Sequence, residues 1–184
     1  MVNLKGLVEC VEKSCGWEAY KKTQNLNDID VSKDEEYQRN FVYYYKLRRN
    51  AEWRDKFFQY MEKKKNDKSL TFEEVLNYLY KFDNTLEPSF ASKLLATIND
   101  KMPIWDNNVL DALGLNESKN RTIKNCVEKY EKIQEEIKKI ISDSNVCADY
   151  LKEFNRVFPN YTEISVEKKI DYILWSKGKT AQQK

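Results

Sequence analysis

Tyr43, Tyr44 and Tyr45 stand directly before Lys46, Arg48 and Arg49. Cations interleaved with aromatic rings are what an unstacked nucleic acid needs, since amines and guanidinia take the phosphates while a ring takes the face of a base. The spacing of Tyr37, Phe41, Tyr44, Tyr45 and Arg48 predicts a helix over 34–49. Its last turn would carry the basic groups at the end where the helix dipole favours cations. Read without function, the same residues are a solvated, dipole-paired helix end. A second pair is set deeper in the chain. Lys93 interrupts the apolar series Phe90, Leu94, Leu95 and Ile98, so its stem can lie on apolar neighbours while its amine reaches outward. Asp106 follows the large-residue connector Met102-Pro103-Ile104-Trp105 and suits the N-cap of a short helix closed by Gly114.

The elements that must position these groups read as helices throughout. Pro88 suits the first turn of the Lys93 helix, and Pro103 disfavours helical geometry in the residue before it, so that helix should end near Asn99-Asp100. A helix over 52–65 would bury Trp53, Phe57, Phe58 and Met61. Thr71 and Glu74 make a capping box for the next, which carries Val75, Leu76, Leu79 and Phe82. The longest helix is expected over about 117–141, capped by Asn116 or Ser118. Its apolar positions Ile123, Cys126, Tyr130, Ile133, Ile137 and Ile140 fall on a heptad seam. That seam serves either as the inner face of one straight helix or, through Ile123, Tyr130 and Ile137, as the contact of a homo-oligomer. A helix over 146–158 stops at Pro159. Ser165 caps a final helix that Gly178 would end, leaving 179–184 as a polar tail. The stretch 3–14 is a short amphipathic segment, and 22–34 reads as a polar loop.

Composition narrows the function. The chain has 184 residues, enough for one domain with a sizeable core, and only 4 Gly and 3 Pro against 12 Tyr. That mix favours an all-α domain of many helices over a sheet. Net charge is +2 although 34% of residues are charged, so any nucleic-acid footprint has to be a local patch. No histidine is present, which excludes His-based triads, general bases and metal ligands. The four cysteines form no C-x-x-C pair, so no metal or cofactor is expected. Free thiols, with no signal peptide and no membrane-length apolar run, suit a cytoplasmic setting.

The residues from Ser89 to Leu95 (SFASKLL), followed by PIWDNNVL from Pro103 to Leu110, resemble the lysine helix and the Pro…Asp…Val segment of the helix-hairpin-helix DNA glycosylases. The likeness is to the bacterial 8-oxoguanine DNA glycosylase-like branch, and it covers 88–114. It implies two helical sub-lobes, split near residue 87, around a cleft that takes an everted base. It also implies DNA as partner, Lys93 as the amine that attacks C1′ to form a Schiff base, and Asp106 as the carboxylate that orients it and offsets positive charge on the sugar. Lys46, Arg48 and Arg49 would then hold phosphates, and Trp105 and Tyr43 to Tyr45, Tyr45 among them, are the candidate surfaces for stacking on the base. The family's hairpin glycines, which let backbone N–H groups reach a phosphate, have no counterpart in the loop 83–87 (DNTLE). Two readings follow: a DNA-binding protein that excises bases, or a helical interaction domain that keeps the fold without the activity.

Overall fold

The computed structural model describes residues 17–115 and 121–181. Among the described residues there are nine helices and no strand, so the chain is all-α. The amphipathic segment at 3–14 and the proposed caps Asn116 and Ser118 lie outside them. The chain divides into two compact units, the described parts of Gly16–Asn99 and of Asp100–Lys184.

The first unit contains α1 (Trp17–Gln24), α2 (Glu35–Tyr45), α3 (Ala51–Lys64), α4 (Phe72–Asp83) and α5 (Pro88–Ile98). Helix α1 packs on α2 and α5, α3 on α4, and α4 on α5. This unit closes after α5, which is buried against the helices that precede it. The core is aromatic. Phe41 has no exposed surface, and its ring lies 4.6 Å from Tyr45, 5.6 Å from Phe57 and 5.5 Å from Phe58, tilted or edge-on as ring quadrupoles prefer.

Caps set most of the boundaries here. Asp34 accepts from Tyr37 N (2.8 Å), Asn50 from Trp53 N (2.9 Å), and the Thr71–Glu74 capping box forms as expected. Its bonds from Thr71 hold the Glu74 carboxyl below its ordinary range. A carboxyl lowered by folding adds stability above its unfolded pKa, and loses it as pH falls through the folded one. Thr71→Ala is expected to cost about 1 kcal/mol in urea unfolding at neutral pH, the usual cost of a lost N-cap, and the difference should shrink in acid as Glu74 protonates and its bond from the Thr71 hydroxyl weakens. Two boundaries differ from expectation. Helix α1 occupies part of what reads as a polar loop, because Tyr20 and Thr23 turn inward and the Thr23 carbonyl accepts from Tyr37 Oη (3.0 Å). Helix α2 ends at Tyr45, not Arg49. Lys46 takes the left-handed conformation (φ 53°), its N–H and that of Leu47 both bond Val42 O, and Leu47 is driven into the core.

The second unit contains α6 (Asn107–Leu113), α7 (Ile123–Ser142), α8 (Ser144–Val157) and α9 (Val166–Ala181). Helix α9 packs on α6, α7 and α8. Helix α7 starts at Ile123 because Thr122 accepts from Asn125 N (3.1 Å), and Asp143 caps α8 through Asn145 N and Val146 N. Cys126, Tyr130, Ile133 and Ile137 are buried along α7. Tyr130 and Ile137 pack inside the chain itself, and Ile123 is half-buried. Gly178 does not end α9, which runs on to Ala181. No described helix is long and apolar enough to cross a membrane.

Candidate nucleic-acid interface

The turn between α2 and α3, Lys46 to Arg49, gathers most of the basic residues singled out above. Left-handed backbone is costly for a residue with a Cβ, by about 1 kcal/mol or more, and helix ends that need it normally use glycine. Among the described residues only Lys46 and Asn84 adopt it without being glycine, and asparagine tolerates it well. At Lys46 the turn is fixed by the burial of Leu47 on one side and the Asn50 cap on the other.

The consequence is an exposed cationic rim. The Lys46 ammonium lies 4.3 Å from the centre of the Tyr43 ring, and Tyr43 is 68% exposed. A cation on a ring face at this distance is held without losing its water-facing side. Arg48 is exposed beside them. The other residues expected to touch nucleic acid are used differently. Arg49 is ion-paired to Asp83 and, at 3.0 Å, to Glu87, and its guanidinium lies 5.2 Å from the Trp53 ring. Tyr45 and Trp105 are 5% and 3% exposed, so their rings pack in the interior and present no stacking face. Tyr44 is half-buried, its ring 5.8 Å from that of Tyr20 and 4.7 Å from that of Tyr45, and Tyr43 is the exposed ring of the three.

Lys93 and Asp106 stand in different units, each with a local role. The Lys93 amine donates to the Tyr45 backbone carbonyl (3.1 Å) and sits 5.2 Å from the Phe90 ring centre. Asp106 caps α6, its carboxylate accepting from Asn108 N (2.9 Å), and Gly114 closes that helix at φ 69°. The loop after α4 is acidic as well as free of glycine. Asp83 accepts from Thr85 N (3.1 Å), and Asp83 and Glu87 hold Arg49. Backbone N–H groups in a phosphate cradle would have no such neighbours.

An open cleft of about 380 Å³ between α3 and α4 is lined by Tyr60, Tyr78, Glu73, Glu74, Asn77 and Lys81. Its two tyrosine rings stack on each other at 3.7 Å, and Glu74 is committed to the Thr71 cap. Nothing there pairs a nucleophile with a base. Among the described residues no group of three His, Cys, Asp or Glu is placed to hold a metal ion.

Of the rings and cations grouped at 43–49 in the sequence, Tyr43, Lys46 and Arg48 are exposed, and the local sequence carries that grouping. The pairing of Asp83 and Glu87 with Arg49 carries no local signal, because the arginine is more than thirty residues earlier in the chain. No family model, curated protein or solved structure matches the chain.

Proposed function

We propose that the chain is a DNA-binding protein on the helix-hairpin-helix glycosylase plan that engages unpaired stretches of DNA through the Tyr43–Arg48 rim and excises no base. The observation that carries this reading is the exposed Tyr43 ring with the Lys46 ammonium 4.3 Å from its centre, on a turn whose strained residue is a lysine. A base stacked on an exposed ring contributes about 1–3 kcal/mol and does not depend on which base it is. Duplex bases have both faces covered, so a single strand is the better ligand. Lys46 and Arg48 supply the phosphate contacts, a local patch of the kind a net charge of +2 requires.

The placement of Lys93 supports binding without excision. Attack on C1′ needs a neutral amine aimed at the sugar. This amine is instead directed at the Tyr45 carbonyl. The excising alternative rests on the resemblance over 88–114 and requires Lys93 to leave that carbonyl.

The reading is tested by fluorescence anisotropy with a labelled single strand, its duplex and a strand of the same length whose bases are replaced by abasic sites. The order of affinity expected is single strand first, and Tyr43→Ala should weaken single-strand binding by about tenfold, the scale of one lost stack. Lys46→Gly should raise stability by about 1 kcal/mol by relieving the left-handed strain, and weaken binding. Equal affinity for the base-bearing and abasic strands would remove Tyr43 from the account. Borohydride reduction with abasic DNA is expected to trap no adduct, and a trapped adduct lost in Lys93→Ala would establish the excising reading instead.

A further inference from the structure

We propose that Lys93 is a positioning residue: from α5 it holds the Lys46–Arg49 turn in the geometry that binds DNA. This inference rests on the DNA-binding reading of that rim. Tyr45 is the last residue of α2, and its carbonyl is among those that a helix end leaves without an intrahelical donor. The Lys93 ammonium supplies the donor, at 3.1 Å, and places a positive charge where the α2 dipole is negative. One turn further along α5, Thr97 Oγ1 bonds the Lys93 carbonyl (2.8 Å) and lies 3.5 Å from the Tyr45 hydroxyl. The same tyrosine is therefore engaged at its backbone and at its ring oxygen by neighbouring turns of one helix.

The far end of the turn is fixed independently. Arg49 N donates to Leu47 O (3.1 Å), and its guanidinium is held by Asp83 and Glu87. Both anchors are needed because the turn between them is strained at Lys46 and has only Leu47 in the core. Released from Lys93, the α2 terminus can unwind into a more relaxed backbone. The Lys46 amine would then leave the Tyr43 ring, and the rim would pay an ordering cost before it could bind. The lysine that the resemblance marks as a nucleophile is on this view a helix cap reaching in from α5, and its half-buried place beside Phe90 follows from that task.

Lys93→Met keeps the stem and removes the donors, while Lys93→Arg keeps a donor and the charge. Two readouts separate the clamp from the binding reading. Amide hydrogen exchange at Lys46, Leu47 and Arg49 in the free protein is expected to speed up by about tenfold in Lys93→Met, the scale of one charged hydrogen bond, and to recover in Lys93→Arg. Single-strand affinity by anisotropy should fall and recover in step. Unchanged exchange in Lys93→Met overturns the clamp even if DNA binds normally. Faster exchange with unchanged affinity also overturns it, because the order of the turn would then be irrelevant to binding. If the wild-type chain binds no oligonucleotide, the DNA reading falls, and the exchange data alone decide whether Lys93 holds the turn.

Discussion

Gly178→Ala is expected to destabilise the protein by about 3 kcal/mol, the upper part of the range for forcing a methyl group into a packed interface. A Cβ built at Gly178 falls 1.9 Å from the carbonyl oxygen of Asn108 and 2.7 Å from its Cα. Those are backbone atoms of α6, so no side chain can swing aside, and α6 and α9 must separate. The sign makes the prediction sharp. Alanine in the middle of a helix is normally favoured over glycine by up to about 1 kcal/mol. If α9 did not press on α6, the substitution would therefore stabilise. Chemical denaturation of the two proteins decides between a loss of about 3 kcal/mol and a small gain.

Asp171→Ala is expected to cost about 3–5 kcal/mol, the usual penalty for breaking one half of a buried ion pair. Asp171 and Lys168 are 4% and 6% exposed and meet at 2.9 Å on α9. The second carboxylate oxygen accepts from Ile104 N (3.2 Å), in the extended connector before α6. Tyr130 bonds the adjacent Pro103 carbonyl (2.9 Å), and Ser165 bonds Asp100 O (3.0 Å). Burial, with the Asp171 charge nearby, pushes the Tyr130 hydroxyl well above its ordinary pKa, so it remains a donor at any physiological pH. Removing the carboxylate leaves the Lys168 ammonium buried without it and takes the acceptor from Ile104. The double variant Lys168→Met/Asp171→Leu should recover most of the loss, since a buried ion pair can be replaced by apolar residues of similar size at little cost. A double variant no more stable than Asp171→Ala would show that the buried lysine charge is not what makes the single change costly. Equilibrium unfolding in urea measures all three.

Local chemistry made much of this chain legible. The Thr71–Glu74 box, Pro88 at the start of α5, the Asp106 cap and the Gly114 terminus each depend on residues within one helical turn, and each is found where its residues predict. The departures depend on distant partners. Gly178 has the sequence signature of a helix terminator, and only the approach of Asn108, seventy positions earlier, gives it another use. Helix α2 stops at Tyr45 because Leu47 is buried, which no periodicity within 34–49 reveals. Lys168 and Asp171, three apart on α9, are buried by the connector, whose Ile104 N bonds the Asp171 carboxylate.

The candidate site divides in the same way. Three rings followed by cations mark Tyr43, Lys46 and Arg48, a pattern within six residues. Which of those rings faces solvent is decided by packing, and packing buries Tyr45 and Trp105 while leaving Tyr43 out. Arg49 looks equivalent to Arg48 until Asp83 and Glu87 claim it. Lys93 reads as an amine for chemistry or for water, and its bond to the Tyr45 carbonyl spans 48 positions of sequence.

The central claim, that Lys46 and Arg48 meet the phosphates of an unpaired strand, is tested most directly by titrating single-stranded oligothymidylate across a salt series with the wild-type protein and Lys46→Ala/Arg48→Ala. Each phosphate neutralised on a single strand contributes about 0.7 to the slope of log affinity against log salt, so the double variant should bind more weakly with a slope shallower by about 1.4. Identical affinities and slopes for the two proteins, or no saturable binding by the wild type at low salt, would contradict it.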